Sequence, residues 1–202
     1  LYFFGTGHSH MICEEPFYRA GGLACIYPLL ESDLMLHEGA SKSSSYERIE
    51  GLGNIVISHS SVSKGDVLLI SNSGRNCAVI DAAMEAKKRG ALTVAITSLE
   101  HARHVTSRHS SGYKLHEVCD YVLDNGGITG DASVKLEKMT QMIGPTSSVL
   151  DSTIVNLVMV NTVEKLLHRG IVPPVFTSAN TDEGDDANRS IIEKYRAKVK
   201  IL

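Results

Sequence analysis

Three groups of side chains in this chain have the types and spacing to do chemistry. The first is the run Ser71-Asn72-Ser73-Gly74-Arg75-Asn76, where neutral hydroxyls and amides crowd one turn. A turn of that kind, set before a helix, offers donors to an anion, because the unpaired N–H groups and positive dipole end of the helix point the same way. It holds no lysine, so it lacks the Gly-Lys-Ser/Thr with which a P-loop grips a triphosphate and magnesium. Neutral donors suit a single phosphate monoester, although serine and asparagine also serve as ordinary turn and cap residues. The second group is Glu14-Glu15. A carboxylate that burial raises toward neutrality can move a proton, whereas an exposed pair on a helix is simply solvated. The third is the histidine-rich segment with His101, His104, His109 and His116, of which His109 stands between Arg108 and Ser110 and close to Lys114. A histidine can donate a proton to an oxygen. The irregular spacing and the lack of a cysteine partner argue against a zinc site. The basic segment reads either as a lid over an anion or as a solvated loop.

These groups need elements to position them. Residues 67–70 form an unbroken apolar run with two β-branched members, which suits a strand buried on both faces. Beyond the turn, Val79, Ile80, Ala83, Met84 and Ala86 face one way and Glu85, Lys87, Lys88 and Arg89 the other, so a helix follows, closed by Gly90. Residues 2–4 read as a first strand. They lead through Gly5-Thr6-Gly7-His8-Ser9-His10 into a helix that runs to about residue 20. Residues 23–30, 92–96 and 118–123 read as further strands, 41–45 as a polar loop, and 47–61 as the region of another helix. A long helix over 147–168 and a last one over 186–199 complete the chain. Strands alternating with helices predict an α/β fold with a doubly wound, mostly parallel five-stranded sheet flanked by helices.

Composition narrows the class. The chain has 202 residues, 43% of them apolar, which is enough for one sizeable core. A net charge of −3 argues against a nucleic-acid surface, and no apolar run approaches the length that crosses a bilayer. Cys13, Cys25, Cys77 and Cys119 are scattered, as expected of reduced thiols in a cytoplasmic protein. Gly5-x-Gly7-x-Ser9 raises the dinucleotide question, but His10 stands where that fingerprint wants its third small residue. We therefore expect no cofactor and no metal. The acid run Asp182, Glu183, Asp185 and Asp186 reads as helix capping and does not have calcium-loop spacing.

Gly-x-Gly-x-Ser at 5–9, Ser-x-Ser-Gly at 71–74, Thr146-Ser147-Ser148 before the long helix, and the Asn180 segment occur in the order found in the sugar isomerase (SIS) family. The chain resembles that family over nearly its whole length, and most nearly a bacterial, phosphoheptose isomerase-like group within it. The resemblance implies one SIS domain over 1–202, of flavodoxin-like build, with a further helix upstream of Leu1. It implies a phosphorylated sugar as ligand, met by Gly7, Ser9, Ser71, Asn72, Ser73, Asn76, Thr97, Ser147 and Ser148. The fold hosts aldose–ketose isomerases, amino-sugar-acid lyases or etherases, and non-catalytic sensors. For an isomerase, Glu14 or Glu15 is the expected base. The family's glutamate lies about a turn further along, where this chain has Tyr18 and Arg19. His109 is the expected proton donor for ring opening. SIS domains commonly dimerise, and the long 147–168 helix is apolar nearly all round, so a homodimer is expected, with His109 able to reach the partner's site. Nucleic acid and membrane are not expected partners.

Overall fold

The computed structural model describes every residue except Asn72. Five strands, β1 (Tyr2–Gly5), β2 (Tyr27–Leu29), β3 (Val67–Ser71), β4 (Leu92–Thr97) and β5 (Tyr121–Asp124), form one parallel sheet in the order β2-β1-β3-β4-β5. The alternation within each apolar run divides the side chains between two cores. Tyr2, Phe4, Leu68, Ile70 and Ala95 pack on one face with Val56 and Ile57 of α3 (Leu52–His59) and Val79, Ile80 and Ala83 of α4 (Cys77–Lys88). Phe3, Leu69 and Ile96 pack on the other with Ile12 and Cys13 of α1 (His10–Glu14) and Val155 and Met159 of α7 (Ser147–His168). Strands covered on both faces show as uninterrupted hydrophobic runs.

Helices α3 and α4 meet with almost no gap, and Gly53 makes that approach possible. A Cβ there would stand 1.9 Å from the Ala78 carbonyl oxygen. The remaining elements are α2 (Ala40–Tyr46), α5 (Leu99–His104), α6 (Leu115–Val118), α8 (Gly184–Tyr195) and an antiparallel hairpin of β6 (Ala132–Lys135) and β7 (Met142–Pro145).

Several elements differ from the sequence reading. The first helix ends at Glu14 instead of about residue 20, because Pro16 has no N–H to continue the ladder. The chain then reverses through Tyr18 (φ 44°) and Gly21 (φ 81°). Residues 21–24 leave the sheet to pair with 174–176, through Gly21 N–H to Phe176 O, Phe176 N–H to Gly22 O and Ala24 N–H to Pro174 O. The serine run at 41–45 is helical, held by the buried bond from Ser43 Oγ to Leu34 O at 2.8 Å. The hairpin of β6 and β7 has no counterpart in the sequence reading. Among the described residues no helix is long and apolar enough to cross a membrane, and the four cysteines are unpaired.

Candidate functional site

In this strand order the chain leaves β1 toward β2 and later returns to the other side of β1 with β3. Open α/β sheets bind ligands at the carboxyl ends of strands near such a reversal, where loops splay apart. A cavity of about 210 Å³ lies at that end of the sheet. Its polar wall comes from five segments: Ser9 after β1, Ser73 after β3, Ser98 and His101 after β4, Asn125 and Asp131 after β5, and Ser147 with Asp151 from the first turns of α7.

The loop after β1 reaches the cavity by a tight turn. Gly7 is left-handed at φ 58°, and Ser9 N–H closes on Thr6 O at 3.1 Å. A Cβ on Gly5 would stand 2.7 Å from that of Ser9, so only glycine lets the turn fold back so closely. After β3, Gly74 is again left-handed (φ 81°), which brings the chain round to Asn76 at the head of α4. Asn72 lies outside the described residues. Asn76 is buried and accepts from Arg108 Nη1 at 2.6 Å; its side chain makes no bond to the α4 amides. Thr97 Oγ1 is buried beside the turn, 3.2 Å from where a Gly74 Cβ would sit, and has no hydrogen-bond partner among the described residues. It does not line the cavity.

Two carboxylates divide the far wall. Asp131 (φ 70°) caps α7 from outside the helix, accepting from the amides of Thr146 at 2.9 Å and Ser147 at 2.7 Å and from both hydroxyls. Burial pushes its carboxyl up, but these donors outweigh burial and hold it below its ordinary value. Asp151, 4% exposed, accepts from Ser71 Oγ at 2.8 Å and from Asn125 Nδ2 at 2.7 Å. Here burial wins over the two donors and raises the carboxyl. Asn125 is held for its role, since its Oδ1 accepts from Gly127 N–H at 2.9 Å and its own N–H reaches Thr97 O. His101 Nδ1 accepts from Gly130 N–H at 3.2 Å, which places the ring proton on Nε2. Burial, and then the Arg75 charge, lower its basicity, so it is neutral at physiological pH.

The residues expected from the sequence are thus partly brought together. Ser9, Ser73 and Ser147 line the cavity, and Ser71 lies behind it on Asp151. Ser148, one step on around the helix, lies on a surface groove with Val149 and Ser152. Glu14 and Glu15 do not line the cavity: Ile12 and Cys13 take the sheet-facing side of α1, and the glutamates border a shallow surface depression. Glu15 is engaged by Arg19 and by Asn156 Nδ2 at 2.9 Å. His109 lies beyond the cavity as well. Its Nε2 is 3.1 Å from Asp81 Oδ1 and its Nδ1 2.8 Å from Ser111 Oγ, with an 8% exposed side chain. With Ser110 on Glu50 and Arg108 on Asn76, it fastens the histidine-rich segment to its own chain. Ser98, Asn125, Asp131 and Asp151 were not expected from the sequence, and His101 only as one of the four histidines of its segment. The available signal was an aspartate four residues after Ser147 in the first turns of the long helix, hence on the same face as that serine.

The family model described as "SIS domain" matches residues 1–98, which include β1, β3 and β4 with the turns that follow β1 and β3. A "UPF0309 protein" of Thermoanaerobacter pseudethanolicus is 48% identical over 202 residues, covering 98% of this chain and 82% of its own. UPF0309 proteins of Oceanobacillus iheyensis and Geobacillus kaustophilus are 43% and 44% identical, covering 100% and 98% of this chain and 83% and 80% of theirs.

Proposed function

Because the chain belongs to the UPF0309 family of SIS-domain proteins, we propose that its cavity binds a phosphorylated sugar and interconverts its aldose and ketose forms. The observation that carries this reading is the convergence of the neutral hydroxyls of Ser9, Ser73 and Ser147 on one cavity that also holds a buried carboxyl. Hydroxyls and turn amides suit a phosphate monoester and the sugar's own hydroxyls. A buried acid suits the proton transfer that isomerisation requires. Thr97 Oγ1, which has no hydrogen-bond partner among the described residues, stands beside the same turn and adds a hydroxyl to it.

The test is calorimetry with glucose 6-phosphate, ribose 5-phosphate and sedoheptulose 7-phosphate on the wild type and on Ser73→Ala. Loss of one hydroxyl donor to a charged group removes roughly 1.5–3 kcal/mol, so affinity should fall at least about tenfold. Unchanged affinity in the variant would place the phosphate elsewhere, and absence of binding by any of the three would remove the reading.

A further inference from the structure

We propose that Asp151 is the catalytic base of this site and that His101 is the electrophile paired with it. The inference rests on the phosphosugar reading above and says which groups do its chemistry. Asp151 joins the ends of β3 and β5 to α7 through Ser71 Oγ and Asn125 Nδ2. A neutral amide could satisfy both partners, accepting from Asn125 and donating to Ser71, so the bridge alone does not require an ionisable group. The charge has been taken out of water at the wall of a cavity, where its removal from solvent is expensive and its proton affinity accordingly increased. The remaining titratable groups on that wall are His101 from α5 and Asp131 from the loop before β6. Asp131 is consumed by the α7 amides. His101 is neutral and presents an N–H whose partner is not found among the described residues. A neutral imidazole can polarise a carbonyl without carrying charge into the site.

The chemistry balances with these two groups alone. Ionised Asp151 takes the proton from C2 of the open-chain aldose. The C–H electron pair becomes the C1–C2 double bond while the C1 carbonyl pair moves to oxygen, which receives the Nε2 proton of His101. The O2 proton then returns to His101, C2–O becomes the carbonyl, and Asp151 delivers its proton to C1. No oxidant or reductant is consumed. Ser71 and Asn125 act as positioning residues that hold both carboxylate oxygens.

The experiment measures solvent deuterium uptake at C2 of glucose 6-phosphate, ribose 5-phosphate and sedoheptulose 7-phosphate's aldose product, alongside calorimetric affinity and a thermal melt. In Asp151→Asn, exchange at saturating sugar should fall ~100-fold or more while affinity stays within about threefold. His101→Gln should lose at least ~10-fold in the same assay. Exchange retained within about fivefold in Asp151→Asn would overturn the assignment and leave the isomerase reading standing. A wild type that binds these sugars without exchanging would overturn both. If Asp151→Asn does not fold, the wild-type pH profile decides. Deprotonation creates the base, so kcat/KM should rise with pH through an apparent value above that of an ordinary aspartate, and a profile flat from about pH 4 to 8 would overturn the assignment.

Discussion

His10 stands where burial opposes its taking a charge. It is 3% exposed, its Nδ1 lies 3.3 Å from Gly7 O, and its Nε2 has no partner among the described residues. Burial depresses it to about 4. An unfolded histidine titrates near 6.5, so between about 6.5 and 4 the unfolded chain binds more protons than the folded one. The stabilisation is therefore fully present above about pH 6.5 and is lost as pH falls toward 4. Urea midpoints for the wild type should decline across that window, and His10→Gln should flatten the decline. Parallel slopes for the two proteins would show that another group governs acid sensitivity.

At the scale of elements, the site depends on how closely α3 can lie against α4. The backbone of α3 passes over the first turn of α4 at Gly53, whose missing side chain is the space taken by Ala78 O, Ala82 N and Asp81 Cβ. Asp81 also accepts from Gly51 N–H at 2.6 Å, tying the start of α3 to the same turn. Gly53→Ala forces backbone against backbone and cannot be relieved by a rotamer change. Overpacking of this kind costs about 1–3 kcal/mol or more, even though alanine is the better helix former. The melting temperature should drop by roughly 2 °C or more. A rise would mean that the two helices separate more easily than their packing indicates. Since the Ser73–Asn76 turn leads into α4, the variant should also weaken sugar phosphate binding.

At the scale of the molecule, α7 is covered on one side only. Val155 and Met159 are buried, while Val149, Leu157, Val160 and Leu167 stand on the opposite side with 69%, 56%, 64% and 54% of their surface exposed. Their spacing follows the helical period, so they make one stripe. A stripe of that kind next to a cavity wall supports the homodimer expected from sequence, with a contact that buries on the order of 2,000 Å². Light scattering at micromolar concentration should give twice the monomer mass, and the double change Leu157→Arg with Val160→Arg should give the monomer. A wild-type monomer would remove the proposal. His109, fixed to Asp81 on its own chain, is not the group that would cross such an interface.

Periodicity within single segments was enough to specify much of this protein. The runs at 67–70 and 92–96 show their burial on both faces as unbroken hydrophobicity. The helices at 77–88 and 147–168 carry their own start and stop signals, and hydroxyl-rich turns after apolar strands lie at the end of the sheet where the cavity opens. Those features depend on residues within one or two turns of each other. What the sequence left undecided depends on distant partners. Residues 23–24 leave the sheet because 174–176 supply their hydrogen bonds, and the serines at 41–45 become helical in part because Leu34 O accepts from Ser43. Glu14 and Glu15 lie outside the cavity because Pro16 ends α1 and Ile12 and Cys13 claim the sheet. Asp151, 80 residues from Ser71 and 26 from Asn125, has a neutral-seeming place in a helix until the fold removes its water and sets it on the cavity wall. A carboxylate's chemistry follows from its solvation, and solvation is a property of the assembled tertiary structure.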